Sequence, residues 1–219
     1  MPKVGMKPIR QKQLIEAAIA AVAEFGFADT TVSKIGKRAN VSPGIVHHYF
    51  NDKDALLEAA MRSLLEKLRQ AVAGRLRQTR TPYQRAEAVI DGNFATEQFG
   101  REAITAWLSF WTQALHNPAL MRLRRLNVRR ARSNLRHALR HLLPATEVEE
   151  AVTELIALID GLWLYAALSE DEVDVQFLSR TAHGYLERLL VNKTPGQQAT
   201  ANTPGLSGPA ANGVYAWQT

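Results

Sequence analysis

The 219-residue chain contains no cysteine. Disulfide bridges and thiolate metal sites are therefore excluded, and the composition fits a reducing compartment. No uninterrupted apolar run approaches the roughly 20 residues of a membrane-spanning helix. The N-terminus is basic but lacks the apolar segment of a signal peptide, so the chain is expected to act in the cytoplasm, away from membranes. Strand signals are sparse: alternating β-branched runs are few, and no Asn-Gly or Asp-Gly is flanked by them. Phosphate-binding loops, dinucleotide fingerprints and nucleophile elbows are missing, so no catalytic residue and no cofactor are expected. His137 and His141 have helical metal-ligand spacing, but arginines surround them and no carboxylate stands nearby, so no metal site is assigned.

What is present is helical, and the fold class expected is all-α. Apolar residues recur at three- and four-residue steps up to about Leu190. A first helix is expected over Ile9 to Phe25, with Leu14, Ile15, Ala18, Ile19 and Val22 inward and Gly26 ending it. Later helices are expected from Lys53 to about Arg75, then over 82–95, 101–116, 118–142, 147–168 and 174–191. The breaks fall at Thr79 to Pro82, Gly100, Asn117-Pro118, Pro144 and the acidic stretch from Ser169 to Asp174. Beyond Asn192 the composition turns to Thr, Pro, Gly, Ala, Gln and Asn, which reads as a disordered tail. The expected organisation is a head over residues 1–55 with a basic N-terminal arm, a helical body over 56–191 and the tail over 192–219.

Charge separates head from body. Residues 1–80 hold 14 Lys and Arg against 7 Asp and Glu, a net of +7. Residues 81–191 hold 12 against 14, a net of −2. A basic head on a near-neutral body points to a polyanionic partner for the head alone.

The segment from Thr31 to Leu56 is the most informative of the chain. Val32, Ile35 and Ala39 share one helical face, and Asn40 is suited to the left-handed conformation that ends a helix. Ser42 is a good N-cap, and Pro43 stands at the first helical position, where its missing N–H is harmless. Two short helices joined by a tight turn describe a helix-turn-helix. The second carries Ile45, Val46, His47, His48 and Tyr49 where a solvated helix would carry Glu and Lys.

This segment resembles the DNA-binding domain of the TetR family of one-component repressors. The resemblance rests on Thr31, Ile35, Ala39, Val41, Ser42, Gly44, Tyr49, Phe50, Lys53 and Leu56 at the family's spacing. Gly36 stands in place of the usual Ala, at a helix cost of about 1 kcal/mol, and Asn40 in place of Gly. His47 stands where many members have Tyr. The resemblance implies a palindromic double-stranded operator bound by a homodimer through a three-helix head, with a helical-bundle body for dimerisation and ligand binding. Gly44 permits close backbone approach. Ile45 suits a thymine methyl and His47 a base edge. Thr31, Ser33, Lys34, His48, Tyr49 and Lys53 suit phosphate oxygens, and Ser42 and Pro43 open the helix that enters the groove. Lys3, Lys7 and Arg10 are expected on a flexible arm.

Further stretches, Gly92-Asn93-Phe94, Trp107 to Trp111 and Asp160 to Leu164, are similar to the choline-responsive repressors of glycine betaine synthesis within that family. The small-molecule effector so implied is choline. Trp107 and Trp111 are four apart on one helix, so their rings share a face. Aromatic cages bind quaternary ammonium ions through cation–π attraction. Phe94, Phe110, Trp163 and Tyr165, with a carboxylate from Asp91 or Asp160, are candidates to complete a box. Ordinary core packing of the same rings stays open, as does a role for Asp160-Gly161 at a dimer interface. Two other functions also stay open: a repressor of the same build sensing a different small cation, and a helical enzyme or scaffold with a structural helix-turn-helix. The arginine stripe Arg122, Arg125, Arg129, Arg132, Arg136 and Arg140 reads as a solvated face pairing with Glu147, Glu149, Glu150 and Glu154.

Overall fold

The computed structural model describes residues 6–95, 100–169, 171 and 173–193. Among these, all regular structure is helical, in the order α1 (Met6–Asp29), α2 (Val32–Arg38), α3 (Pro43–Tyr49), α4 (Lys53–Leu76), α5 (Pro82–Asn93), α6 (Arg101–Ala114), α7 (Pro118–Leu139), α8 (Val148–Leu168) and α9 (Val175–Lys193). The boundaries follow local chemistry. Thr31 caps α2 by accepting from the Lys34 backbone N–H at 3.2 Å. Asp52 caps α4 by accepting from the Ala55 N–H at 2.7 Å. Thr81 and Gln84 form a reciprocal capping box on α5. Asn117 accepts from the N–H groups of Ala119 and Leu120, with Pro118 at the start of α7.

Two turns fix the head. At Gly26 the backbone adopts φ 73°, and α1 kinks there. The expected end at Gly26 is thus a bend, after which helical structure continues to Asp29. Thr30, fully buried, donates its hydroxyl to the Gly26 carbonyl at 2.6 Å. Between α2 and α3, Asn40 takes the left-handed conformation at φ 53°. The Val41 N–H donates to the Gly36 carbonyl at 2.8 Å. A Cβ on Gly36 would lie 2.9 Å from the Val41 carbonyl oxygen, so the tightness of this turn explains a glycine inside a short helix.

The N-terminal arm is shorter than expected. Lys7 and Arg10 lie within the first turns of α1, and Lys3 is outside the described residues. The tail beyond α9, with Tyr215 and Trp217, also lies outside them.

One contiguous apolar cluster runs from head to body. Leu14, Val22 and Ile35 meet Leu56 and Leu57 of α4 at one end, and Leu68 and Val72 of the same helix meet Val89 and Ile90 of α5 further on. Helix α1 also packs on α6, with Phe27 and Phe110 in edge-to-face contact at 6.0 Å between ring centres.

Helix α8 is long and apolar enough, by length and composition, to cross a membrane, although Glu154 and Asp160 interrupt it. Both carboxylates are engaged by neighbouring helices. The Tyr185 hydroxyl donates to Glu154 at 2.9 Å, and Arg124 lies 3.7 Å from Asp160. Leu155, Ile159 and Trp163 are buried in the bundle, so one face of its apolar surface belongs to the core. The opposite face is open: Leu164, Tyr165 and Leu168 are exposed, and nothing stands within 4 Å of a Cβ built on Gly161.

Helices α4 and α5 cross at unusually close range, because a Cβ on Gly92 would lie 2.6 Å from the Val72 Cα. Gly92→Ala is expected to destabilise the protein by about 1–3 kcal/mol through overpacking against backbone. Chemical denaturation should show a lowered midpoint with an unchanged slope.

Candidate nucleic-acid interface and effector site

Within α3 only Val46 is buried, and it is the peg that seats this helix on the head core. The helix therefore displays nearly its whole circumference. Ser42, Pro43, Gly44, Ile45, His47 and His48 are exposed, and Ile45 shows 39% of its surface. Thr31 and Ser33, at the start of α2, are exposed beside them. Tyr49 is half-buried, its ring perpendicular to that of His48 at 5.0 Å. Ser42 precedes α3 in extended conformation and makes no side-chain cap bond, which leaves its hydroxyl available.

The two lysines of the interface share one device. Lys34 Nζ donates to the Asp29 carbonyl at 2.9 Å and lies 4.1 Å above the Phe25 ring. Lys53 Nζ donates to the Ala28 carbonyl at 3.5 Å, with the Phe27 ring 5.8 Å away. Both ammonium groups are gathered at the C-terminal end of α1, where the helix dipole is negative. Those carbonyls lie in the last turn of α1, where no following helical N–H claims them. Lys34 and Lys53, apart in sequence, are thereby held along one rim of the α2–α3 surface.

In the body, the structure brings three indoles together. Trp107 meets Trp163 at 5.8 Å with ring planes at 72°, and Trp111 at 6.5 Å with planes at 58°. Trp107 and Trp163 are buried, and Trp111 is half-buried. The Trp107 Nε1 is buried with no hydrogen-bond partner among the described residues, a state that costs about 1–3 kcal/mol. Phe94 and Phe110 are buried, and Phe110 turns towards the head to meet Phe27. Tyr165 does not join the described rings: it is 60% exposed on the outer side of α8, since the helical step from Trp163 turns it away from the core.

The two candidate carboxylates have other partners. Asp91 Oδ1 lies 2.8 Å from His183 Nε2 and accepts from the Ser179 hydroxyl at 3.4 Å, tying α5 to α9. The His183 hydrogen bond holds the Asp91 carboxyl below its ordinary range, and the same bond raises the His183 imidazole. Burial pushes Asp160 above the usual carboxylate range, which Arg124 at 3.7 Å only partly offsets.

The arginine stripe divides. Arg132 and Arg136 both engage Glu149, and Arg132 also reaches the Thr153 hydroxyl at 3.2 Å. Arg122, Arg125 and Arg129 instead border an open groove shared with Arg62 and with the exposed Leu126.

Sequence reasoning missed His183 as the partner of Asp91 and Phe27 as the partner of Phe110, and neither pairing left a signal in the local sequence.

Known proteins bear out this architecture. Residues 14–60 match the family model described as bacterial regulatory proteins, tetR family. Residues 82–191 match the model of the BetI-type transcriptional repressor C-terminal domain. The HTH-type transcriptional regulator BetI 1 of Chromohalobacter salexigens is 45% identical over 195 residues, 89% of this chain and 96% of that protein. A putative transcriptional regulator from Pseudomonas aeruginosa PAO1 superimposes with TM-score 0.74 at 26% identity, covering 86% of this chain and 93% of that one. Another from Saccharomonospora viridis, solved in complex with choline, has the same fold: TM-score 0.73 at 19% identity, covering 82% and 96% of the two chains. The chain belongs to the TetR family of transcriptional regulators, as a repressor of the BetI type.

Proposed function

We propose that this repressor binds a palindromic operator as a homodimer, and that choline releases it from the genes for glycine betaine synthesis. The observation that carries the DNA reading is the near-complete display of α3 around its single buried residue, Val46. In this reading the N-terminal end of α3 enters the major groove, with one subunit on each half-site about 34–36 Å apart or a multiple of it. Gly44 lets the backbone approach, Ile45 meets a thymine methyl and His47 a base edge. Thr31, Ser33, Lys34, Ser42, His48, Tyr49 and Lys53 fix register on phosphates. The lysines exchange the carbonyls of α1 for phosphate oxygens on docking.

The dimer reading rests on the outer face of α8. Leu164, Tyr165 and Leu168 leave an apolar strip uncovered, and Gly161 leaves room for a close partner helix. A two-fold interface sets the same strip of two copies against each other.

The choline reading rests on the BetI-type relatives and on the clustered indoles, whose faces attract a quaternary ammonium. Choline relieves repression only by binding the released conformation more tightly, and a nearly complete switch needs about 10⁴-fold preference.

Three outcomes test these readings. Tyr49→Ala with Lys53→Ala should weaken binding to the DNA upstream of the gene by about 1–3 kcal/mol and flatten its salt dependence. Fluorescence anisotropy with competitor DNA measures this, and unchanged affinity in a folded variant removes the α3 assignment. Leu164→Glu with Leu168→Glu should sediment as a monomer, whereas a persistent dimer places the interface elsewhere. Choline should quench tryptophan fluorescence saturably, and a flat titration refutes choline as effector while leaving the repressor intact.

A further inference from the structure

We infer that His183 is a proton-operated latch between α5 and α9, through which rising pH loosens the body beside α4 and weakens the repressor's hold on DNA. The control of DNA binding rests on the operator reading given above; the latch itself does not. Glu87 and Asp91 stand one turn apart on α5, and Ser179, His183 and Glu187 follow one another by four residues on α9. Each row therefore lies along one helical face. His183 Nε2 is 2.8 Å from Asp91 Oδ1, and its Nδ1 is 3.8 Å from Glu87 Oε1. Both ring nitrogens thus face carboxylates. Only the imidazolium presents an N–H to each, because the neutral ring has a single N–H.

The groups around the ring are mostly of one sign. Glu87 and Asp91 face it from α5, and Glu187 acts on it from its own helix. Tyr83, uncharged at neutral pH, stands by Glu87 and Glu187. Arg75 of α4 acts on Asp91, and its guanidinium is also tied to the Ala71 carbonyl at 3.2 Å. Towards α8, α9 turns Tyr185, which donates to Glu154, with Glu150 and Arg188 near it. Those groups lie across α9 from His183, since two residues turn a helix by about 200°. The His183 side chain is 23% exposed, against 33% for Glu87 and 45% for Asp91, so water screens the cluster only in part.

The direction of the response follows. The hydrogen bond to Asp91 holds the His183 imidazole above its ordinary range, and Glu87 and Glu187 add to the rise. Burial raises the Glu87 carboxyl, and Asp91 and Glu187 push it the same way. A histidine so raised contributes its full stability below the ordinary imidazole range and loses it as pH climbs through the raised value. Deprotonation then leaves three carboxylates around a neutral ring. Asp91 is held low, so it stays charged throughout this window and takes no part in the change.

The position of the seam turns it into a control. Asp91 is followed by Gly92, the point at which α5 meets the backbone of α4 at Val72. Helix α5 thus packs on α9 and on α4. Released from α9, it seats α4 less firmly, and α4 is the wall on which the head is built.

The test compares the full-length wild type with His183→Gln, which is never charged, and His183→Lys, which stays charged, between about pH 6 and pH 9. Chemical denaturation reads the latch alone. Relative to both variants, the folded-to-unfolded ratio of the wild type is expected to fall with rising pH, by about ten-fold for each unit by which the imidazole is raised. The His183 ring-proton resonance of the wild type should titrate above the ordinary imidazole range. Affinity for operator DNA, by fluorescence anisotropy, should fall at least about five-fold more in the wild type than in either variant. His47 and His48 of α3 are the same in all three proteins, so their own titration cancels in the comparison. A His183 that titrates at or below the ordinary range, or a wild type whose stability runs parallel to both variants, overturns the latch and leaves the operator reading intact. A latch that opens without extra loss of operator affinity overturns its control of DNA binding. If none of the three proteins binds the operator at any pH, the operator reading fails and that control with it, while denaturation and the ring-proton titration still decide the latch.

Discussion

Helix α4 must wall both the head and the body, and the rest of the molecule is arranged around that requirement. Its first turns bury Leu56 and Leu57 under the helix-turn-helix, and its last turns bury Leu68 and Val72 beneath α5. Helices α1 to α3 enclose too little apolar surface to stand alone, so the head needs this wall. The body in turn needs α4 close enough to α5 that only a glycine fits at position 92. A rigid helix fastened at both ends transmits displacement from one end to the other. In the proposed function, it is the route by which an effector in the body would change the placement of α3.

The recognition surface follows from an economy of anchoring. A seven-residue helix with Val46 as its one buried residue, helped by the half-buried Tyr49, is stable only because its ends are fixed by other means. Asn40 and the Gly36–Val41 hydrogen bond set its entry, and Phe50, packed on the core, sets its exit. Every position not spent on holding the helix is available for contact. The end of α1 adds to this, since its last carbonyls collect Lys34 and Lys53 at the margin of the same surface.

Much of this was legible in the sequence because the head is governed by local rules. Asn40 and Pro43 each act within a few residues of themselves, so the turn and the start of α3 fell where the residue types placed them, although Ser42 takes the N-cap position there without making a cap bond. Helix ends in the body drifted by two or three residues, as at Ala114 and Leu139, where the chain leaves the helix through further turns. Long-range pairings were not legible. Nothing near Asp91 announces His183, 92 positions away, and an aromatic count does not say that Trp163 would reach Trp107 while Tyr165 would face outward. The helical step between neighbours decides that, and it depends on which side of α8 the bundle occupies. The arm was misjudged for a related reason: basic residues before a helix read as loose until packing shows how far back the helix extends.

The unbroken apolar interior has one more consequence. Phe27 touching Phe110, and α4 running through both halves, leave no plane along which the chain separates without exposing core on each side. Head and body should therefore melt together in a single cooperative transition, and a head cut free of its body would have no folded state of its own to return to.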